Sequence, residues 1–138
     1  MTVSVLIISH HDIGTALTSA LAQIIGHTPL LIDKLEIGFD MPVETAQSLL
    51  EEKIDLLNQG DGILILTDLF GATPCNIANK YQEPNKISVV SGVNLPMLLK
   101  LATNPRLPLE EMAKNAKSGG KTGIVNCQKF AALVVQES

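Results

Sequence analysis

A histidine, His10, stands directly after a nearly continuous apolar run, residues 3–9, and just before a helix-like pattern. An aspartate, Asp68, follows a second such run, residues 62–67. With both runs as parallel strands, an imidazole and a carboxylate reach the same edge of a sheet. Open α/β sheets hold and transform their ligands at that edge. A carboxylate beside an imidazole fixes its tautomer and stabilises its cation. Such a pair can accept a proton, bind a metal ion or accept a phosphoryl group.

The neighbouring residues narrow the choice. Gly71-Ala72-Thr73-Pro74 reads as a glycine-containing loop entering a helix, with Thr73 as N-cap and proline at the first helical position. Free N–H groups and the positive end of the dipole make such a terminus an anion site. His11 competes with His10, but adjacent side chains diverge, and strand-end side chains are the ones that converge on the crevice. His10 is therefore the expected partner of Asp68.

Other chemistries fit less well. Ser118-Gly119-Gly120-Lys121-Thr122 resembles the end of a phosphate-binding P-loop, yet Asn115 stands where its first glycine belongs, and the segment follows a helix. Adjacent histidines rarely chelate one ion, so a metal is not expected at His10 and His11. No Gly-x-Ser-x-Gly elbow and no Gly-x-Gly-x-x-Gly after a strand occur. A phospho-receiver would place its acceptor where Asp68 stands, but it needs an acidic pair where this chain has His10-His11-Asp12.

The elements that must position these residues alternate. The pattern predicts strands at 3–9, 30–37, 62–67 and 87–91, with a fifth short strand at 122–127; residues 130–135 extend or follow it. Helices are expected from Ile13 to Ile25, from a cap at Asp40 to Leu57, from Thr73 to about Tyr81, over 95–102 and over 108–118. Gly26 and Gly119-Gly120 are read as stops. This alternation gives right-handed crossovers in a single doubly wound, mainly parallel sheet with helices on both faces. In the order 2-1-3-4 the switch point falls between strands one and three, so His10 and Asp68 face each other. One domain is expected over 1–138, with its core at about 1–127 and no repeat or linker.

Composition agrees. The 138 residues suffice for one real core, and 46% hydrophobic against 17% charged marks a globular chain. A net charge of −4 with 3% aromatics argues against a nucleic-acid surface. Cys75 and Cys127 suggest neither a disulfide framework nor a metal knuckle. With no leader pattern and no apolar stretch of membrane-spanning length, a cytoplasmic location is expected.

At three segments the chain resembles the IIA component of the mannose/fructose family of the bacterial phosphoenolpyruvate-dependent sugar phosphotransferase system. They are Ile8-Ser9-His10, the run from Leu66 through Asp68 and Gly71-Ala72-Thr73-Pro74 to Asn76, and the run from Ser91 through Gly92-Val93-Asn94 to Leu98. The resemblance covers about 1–127. It implies that His10 is phosphorylated on Nε2 while Asp68 holds Nδ1. It implies that Gly71, Ala72 and Thr73 bind the phosphoryl oxygens through backbone N–H groups and the Thr73 hydroxyl. The implied donor is the phosphocarrier protein HPr, and the implied acceptor is a IIB component of a sugar transporter, with no cofactor. It further implies a homodimer exchanging a C-terminal strand, matched here by 122–127.

The chain departs from that family at His11, where glycine is usual, at Ala72, where a second glycine is common, and at Cys75, where phenylalanine is common. Alternatives to sugar uptake are a regulatory use of the same chemistry, the phosphotransfer subunit of a dihydroxyacetone kinase, and a non-catalytic anion-binding domain.

Overall fold

Strands buried on both faces favour near-continuous apolar runs, and the two central strands have them at residues 5–8 and 63–66, with Ser4, Ser9 and Thr67 buried at their ends. In the computed structural model, which describes residues 2–128, β1 (Ser4–His10) lies between β2 (Ile32–Ile37) and β3 (Ile63–Thr67), and β4 (Ile87–Ser91) pairs with the far side of β3. All pairings are parallel and the order is β2-β1-β3-β4, as the sequence pattern predicts. The helices α1 (Ile13–Ile25), α2 (Val43–Leu57), α3 (Thr73–Asn79), α4 (Leu95–Thr103) and α5 (Leu109–Thr122) complete the described fold.

Period-two alternation divides the core into two layers. Val5, Ile7, Leu64 and Leu66 face α1, α4 and α5, joining Leu21, Leu98, Leu101 and Met112. Leu6, Ile8, Ile63 and Ile65 face the other way, joining Ala46, Leu50, Ile77 and Ala78 of α2 and α3. A slip of one residue in β1 or β3 would exchange the two layers, so the register that places His10 is held by the whole core. Gly14 sits where α1 crosses the sheet; a Cβ there would lie 3.3 Å from Ile7 Cγ2 and from Lys34 Cβ.

Several expected boundaries move. β2 begins at Ile32 rather than at residue 30. Asp40 does not cap α2, which starts at Val43 after an extended Pro42. Within α1, Ile13 and Ile24 point outward, and Leu21 carries the buried face with Gly14.

The largest correction concerns the C-terminal end. Residues 122–127 do not form a strand, and Gly119-Gly120 does not stop the helix: α5 runs through both to Thr122. The physical reason is helix packing. A Cβ on Gly119 would sit 2.5 Å from Lys100 Cβ, and one on Gly123 2.2 Å from Pro96 Cβ. These glycines let α5 lie close against α4, and the packing outweighs their weak helix propensity. The expected extension at 130–135 lies outside the described residues.

Candidate active site

The register sets the site. Ile8 pairs with Thr67, so Asp68, the next residue of β3's chain, arrives beside the end of β1. Its Oδ2 accepts hydrogen bonds from the backbone N–H of His10 at 2.9 Å and from His10 Nδ1 at 2.7 Å. Its Oδ1 accepts from the Leu69 N–H at 2.9 Å. With Nδ1 donating to a carboxylate, Nε2 carries the ring's lone pair. The His10 side chain is 42% exposed and that of Asp68 only 10%, so the ring faces solvent while its anchor does not.

Burial alone would raise the pKa of the Asp68 carboxyl. The N–H of His10, its ring hydrogen bond and its ring charge outweigh burial, and the carboxyl lies below its ordinary value. Asp68 is therefore ionised at neutral pH.

His11 does not share this arrangement. Its φ is 45°, a left-handed conformation, and its N–H donates to Ile37 O at 3.3 Å. The backbone turns out of β1 at this residue, and His11 is exposed. Asp12 precedes α1 but makes no side-chain cap bond; Ser9 Oγ takes the Gly14 N–H instead, at 3.1 Å.

The loop after β3 is shaped by Gly71, at φ 81°. The helix start is one residue earlier than expected. Ala72, not Thr73, is the N-cap of α3, Thr73 is its first residue, and no side chain caps it. Asn76 Nδ2 donates to Gly71 O at 3.0 Å and steadies the turn. Gly71, Ala72 and Thr73 thus follow Asp68 at the carboxyl edge of the sheet, with Gly71 and Thr73 exposed.

Beneath this loop lies a polar floor that sequence reasoning missed. The hydroxyls of Thr67 and Ser91 are 2.8 Å apart, and Ser91 Oγ is 3.1 Å from Cys75 Sγ. Asn79 Nδ2 donates to Cys75 Sγ at 3.7 Å. Burial pushes the Cys75 thiol up, while hydrogen bonds from Ser91, the Gly71 backbone, Thr67 and Asn79 bring it below its ordinary value. The available signal was a hydroxyl residue closing each of three apolar strands: Ser9, Thr67 and Ser91. Thr67 O also accepts the N–H groups of Gly92 and Val93, both at 2.9 Å, which fixes the loop before α4. Asn94 then caps α4 by accepting the Met97 N–H at 2.9 Å.

Among the described residues no group of three or more His, Cys, Asp or Glu side chains comes together to hold a metal ion. No described helix is long and apolar enough to cross a membrane.

Comparison with known proteins identifies the family of the chain. The family model described as "PTS system fructose IIA component" matches residues 4–117. The chain is 28% identical to the PTS system fructose-specific EIIA component of Bacillus subtilis, over 96% of this chain and 91% of that protein. It is 33% identical to the sorbose-specific EIIA component of Lacticaseibacillus casei, over 72% of each. Among solved structures, the mannose/sorbose-specific IIA subunit from Enterococcus faecalis superposes with a TM-score of 0.81 at 23% identity, covering 91% of this chain and 95% of that one. Component EIIA from Streptococcus agalactiae superposes at 0.80 with 23% identity, covering 92% and 98%. These last two establish the shared fold. The family model spans most of the chain, and the chain belongs to the mannose/fructose/sorbose-type EIIA components of the phosphotransferase system, a family of phosphoryl-transferring proteins.

Proposed function

We propose that the protein carries a phosphoryl group on His10 Nε2, taking it from phospho-HPr and passing it to a IIB component for sugar uptake or a regulatory readout. The observation that carries this reading is the contact between Asp68 Oδ2 and His10 Nδ1 at 2.7 Å, which leaves Nε2 as the nucleophile at an exposed edge.

The step balances as follows. The Nε2 lone pair attacks phosphorus in line, and the bond from phosphorus to the donor's imidazole nitrogen breaks, its electron pair leaving with that nitrogen. Nδ1 keeps its proton, so the phosphorylated ring is cationic, and the Asp68 carboxylate beside it offsets that charge. The N–H groups around Gly71, Ala72 and Thr73, with the Thr73 hydroxyl, receive the phosphoryl oxygens at the start of α3. Passing the group onward reverses the same step. Positioning and charge compensation do the work, so no nucleotide site is needed.

A homodimer belongs to the same reading. Among the described residues the outer edge of β4 pairs only through the bridge between Ile87 and Glu83. An edge so open is a template for a strand from another chain.

The test is intact mass after incubation with phosphoenolpyruvate, enzyme I and HPr. A gain of one phosphate, lost in acid and located on His10, is the expected result. No gain with HPr shown to be phosphorylated would overturn the reading.

A further inference from the structure

Ser4 and Ser9 are fully buried, and each satisfies its hydroxyl on a backbone group. Ser4 Oγ donates to Leu57 O at 2.7 Å, and Ser9 Oγ accepts the Gly14 N–H at 3.1 Å. Thr67 is equally buried and differs. Its hydroxyl meets another side chain, Ser91 Oγ at 2.8 Å, and Ser91 Oγ meets a third, Cys75 Sγ at 3.1 Å. Asn79 Nδ2 and the Gly71 backbone also hydrogen-bond to that sulfur. Bonds between side chains are a small minority of protein hydrogen bonds. A buried chain of them holds one arrangement, because any member left unpaired is costly.

Each member of the chain adjoins a part of the site. Thr67 precedes Asp68, whose Oδ2 holds His10. Thr67 O accepts the N–H groups of Gly92 and Val93, so this residue ties the end of β3 to the end of β4 through main chain and side chain alike. Ser91 is the last residue of β4. Cys75 lies in the first turn of α3, two residues beyond Thr73. Beside it, Asn76 Nδ2 donates to Gly71 O at 3.0 Å.

No side chain caps α3. Its inner residues Ile77 and Ala78 pack into an apolar layer, and such packing is not directional. Hydrogen bonds are directional, and they stand at the end of α3 that enters from the loop. Phosphoryl transfer in line tolerates little misplacement, since an error of about 1 Å costs about 100-fold in rate.

We propose that Ser91 and Cys75 are positioning residues for the phosphoryl step: the chain from Thr67 through Ser91 to Cys75 clamps the entry of α3 to the ends of β3 and β4, and so fixes where residues 71–73 meet a phosphoryl group on His10. The proposal rests on the phosphoryl-carrier reading and adds residues that touch neither the phosphoryl group nor His10. Asp68 orients the ring, and the clamp orients the receiving loop.

The experiment measures transfer from phospho-HPr to the folded fraction of each variant. In Cys75→Ala and in Ser91→Ala, which break the chain from opposite sides, the saturating rate falls about 5- to 10-fold. The phospho-HPr concentration giving half-maximal rate stays within about twofold, as for a contact that matters in the transition state alone. Cys75→Ser, which keeps a polar hydrogen at that position, returns at least half of the lost rate. The nitrogen NMR signals of the His10 ring stay at their wild-type positions in all three variants, because Asp68 still holds Nδ1. In Thr73→Val/Cys75→Ala the two losses of rate do not multiply, since both act through the same loop. A lowered unfolding midpoint with a wild-type saturating rate would show a purely structural chain and overturn the proposal. Displaced His10 ring signals, or losses that multiply with Thr73→Val, would place the effect outside the loop and overturn it too. Those results leave the carrier reading standing, provided phospho-HPr labels the wild type. Failure of both phospho-HPr and phosphoramidate to label wild-type His10 removes the carrier reading, and the proposal with it.

Discussion

One oxygen atom of Asp68 holds His10 twice. Oδ2 lies 2.9 Å from the His10 backbone nitrogen and 2.7 Å from its Nδ1. The main-chain contact fixes where the residue sits and the ring contact fixes how the ring is turned. The two β-strand ends are thereby tied together at the atom that orients the imidazole. This is the arrangement expected of a histidine that reacts through Nε2.

Replacing Asp68 by Asn keeps the size of the side chain and removes its charge. The charge-assisted bond to the ring is worth about 1.5–3 kcal/mol, which corresponds to roughly 10- to 150-fold in rate. Asp68→Asn is expected to slow phosphoryl transfer from phospho-HPr by a factor in that range. Quench-flow measurement of transfer checks it, and a wild-type rate would remove Asp68 from the site.

His10 and His11 are adjacent, but only His10 is gripped by Asp68. His10→Ala is expected to abolish acid-labile labelling, and His11→Ala to retain it. Peptide mapping of the phosphorylated protein separates the two. A phosphate found on His11 in the wild type would reverse the assignment.

The pH dependence follows from the lowered Asp68 pKa. The sign is that of a depressed carboxylate. The folded protein binds this proton less readily than the unfolded chain, so the contribution to stability is present above the unfolded value, about 3.9, and is lost as pH falls through the lower folded value. Urea unfolding of wild type and Asp68→Asn should therefore differ most at neutral pH and converge only as pH falls past the unfolded value and through the lower folded one. A difference independent of pH would show that the carboxylate charge is not what stabilises the pair.

Much of this was legible in the sequence because burial on both faces leaves a strong trace. The runs before His10 and Asp68 are apolar over residues 5–8 and 63–66, and an alternation of strand and helix admits few topologies. What was illegible depended on contacts between distant segments. Gly119 and Gly120 read as a helix stop because local propensity says so, while the reason for them is the surface of α4 at Pro96, Met97 and Lys100. Ala72 displaced Thr73 as the cap of α3 because the loop conformation, set by Gly71 at φ 81°, decides where helical geometry begins. The link from Thr67 through Ser91 to Cys75 joins residues far apart in the chain; the local trace is a hydroxyl residue at the end of each apolar run, and it does not say which of them meet.

The glycines of α5 give the sharpest test of that account. A methyl group on Gly119 would meet Lys100 Cβ at 2.5 Å, and one on Gly123 would meet Pro96 Cβ at 2.2 Å. Alanine improves intrinsic helix propensity by about 1 kcal/mol. Overpacking costs about 1–3 kcal/mol, and at Gly123 the obstruction is a rigid proline ring. Gly123→Ala is therefore expected to lower stability, and Gly119→Ala to do so less, because its contacts with Lys100 Cβ and Cγ, at 2.5 and 2.8 Å, are less severe than those of Gly123 with the proline ring at 2.2 and 2.4 Å. Chemical denaturation of both variants checks the order. If the glycines merely ended a helix in solvent, both substitutions would be neutral or stabilising, and α5 would have no reason to lie against α4.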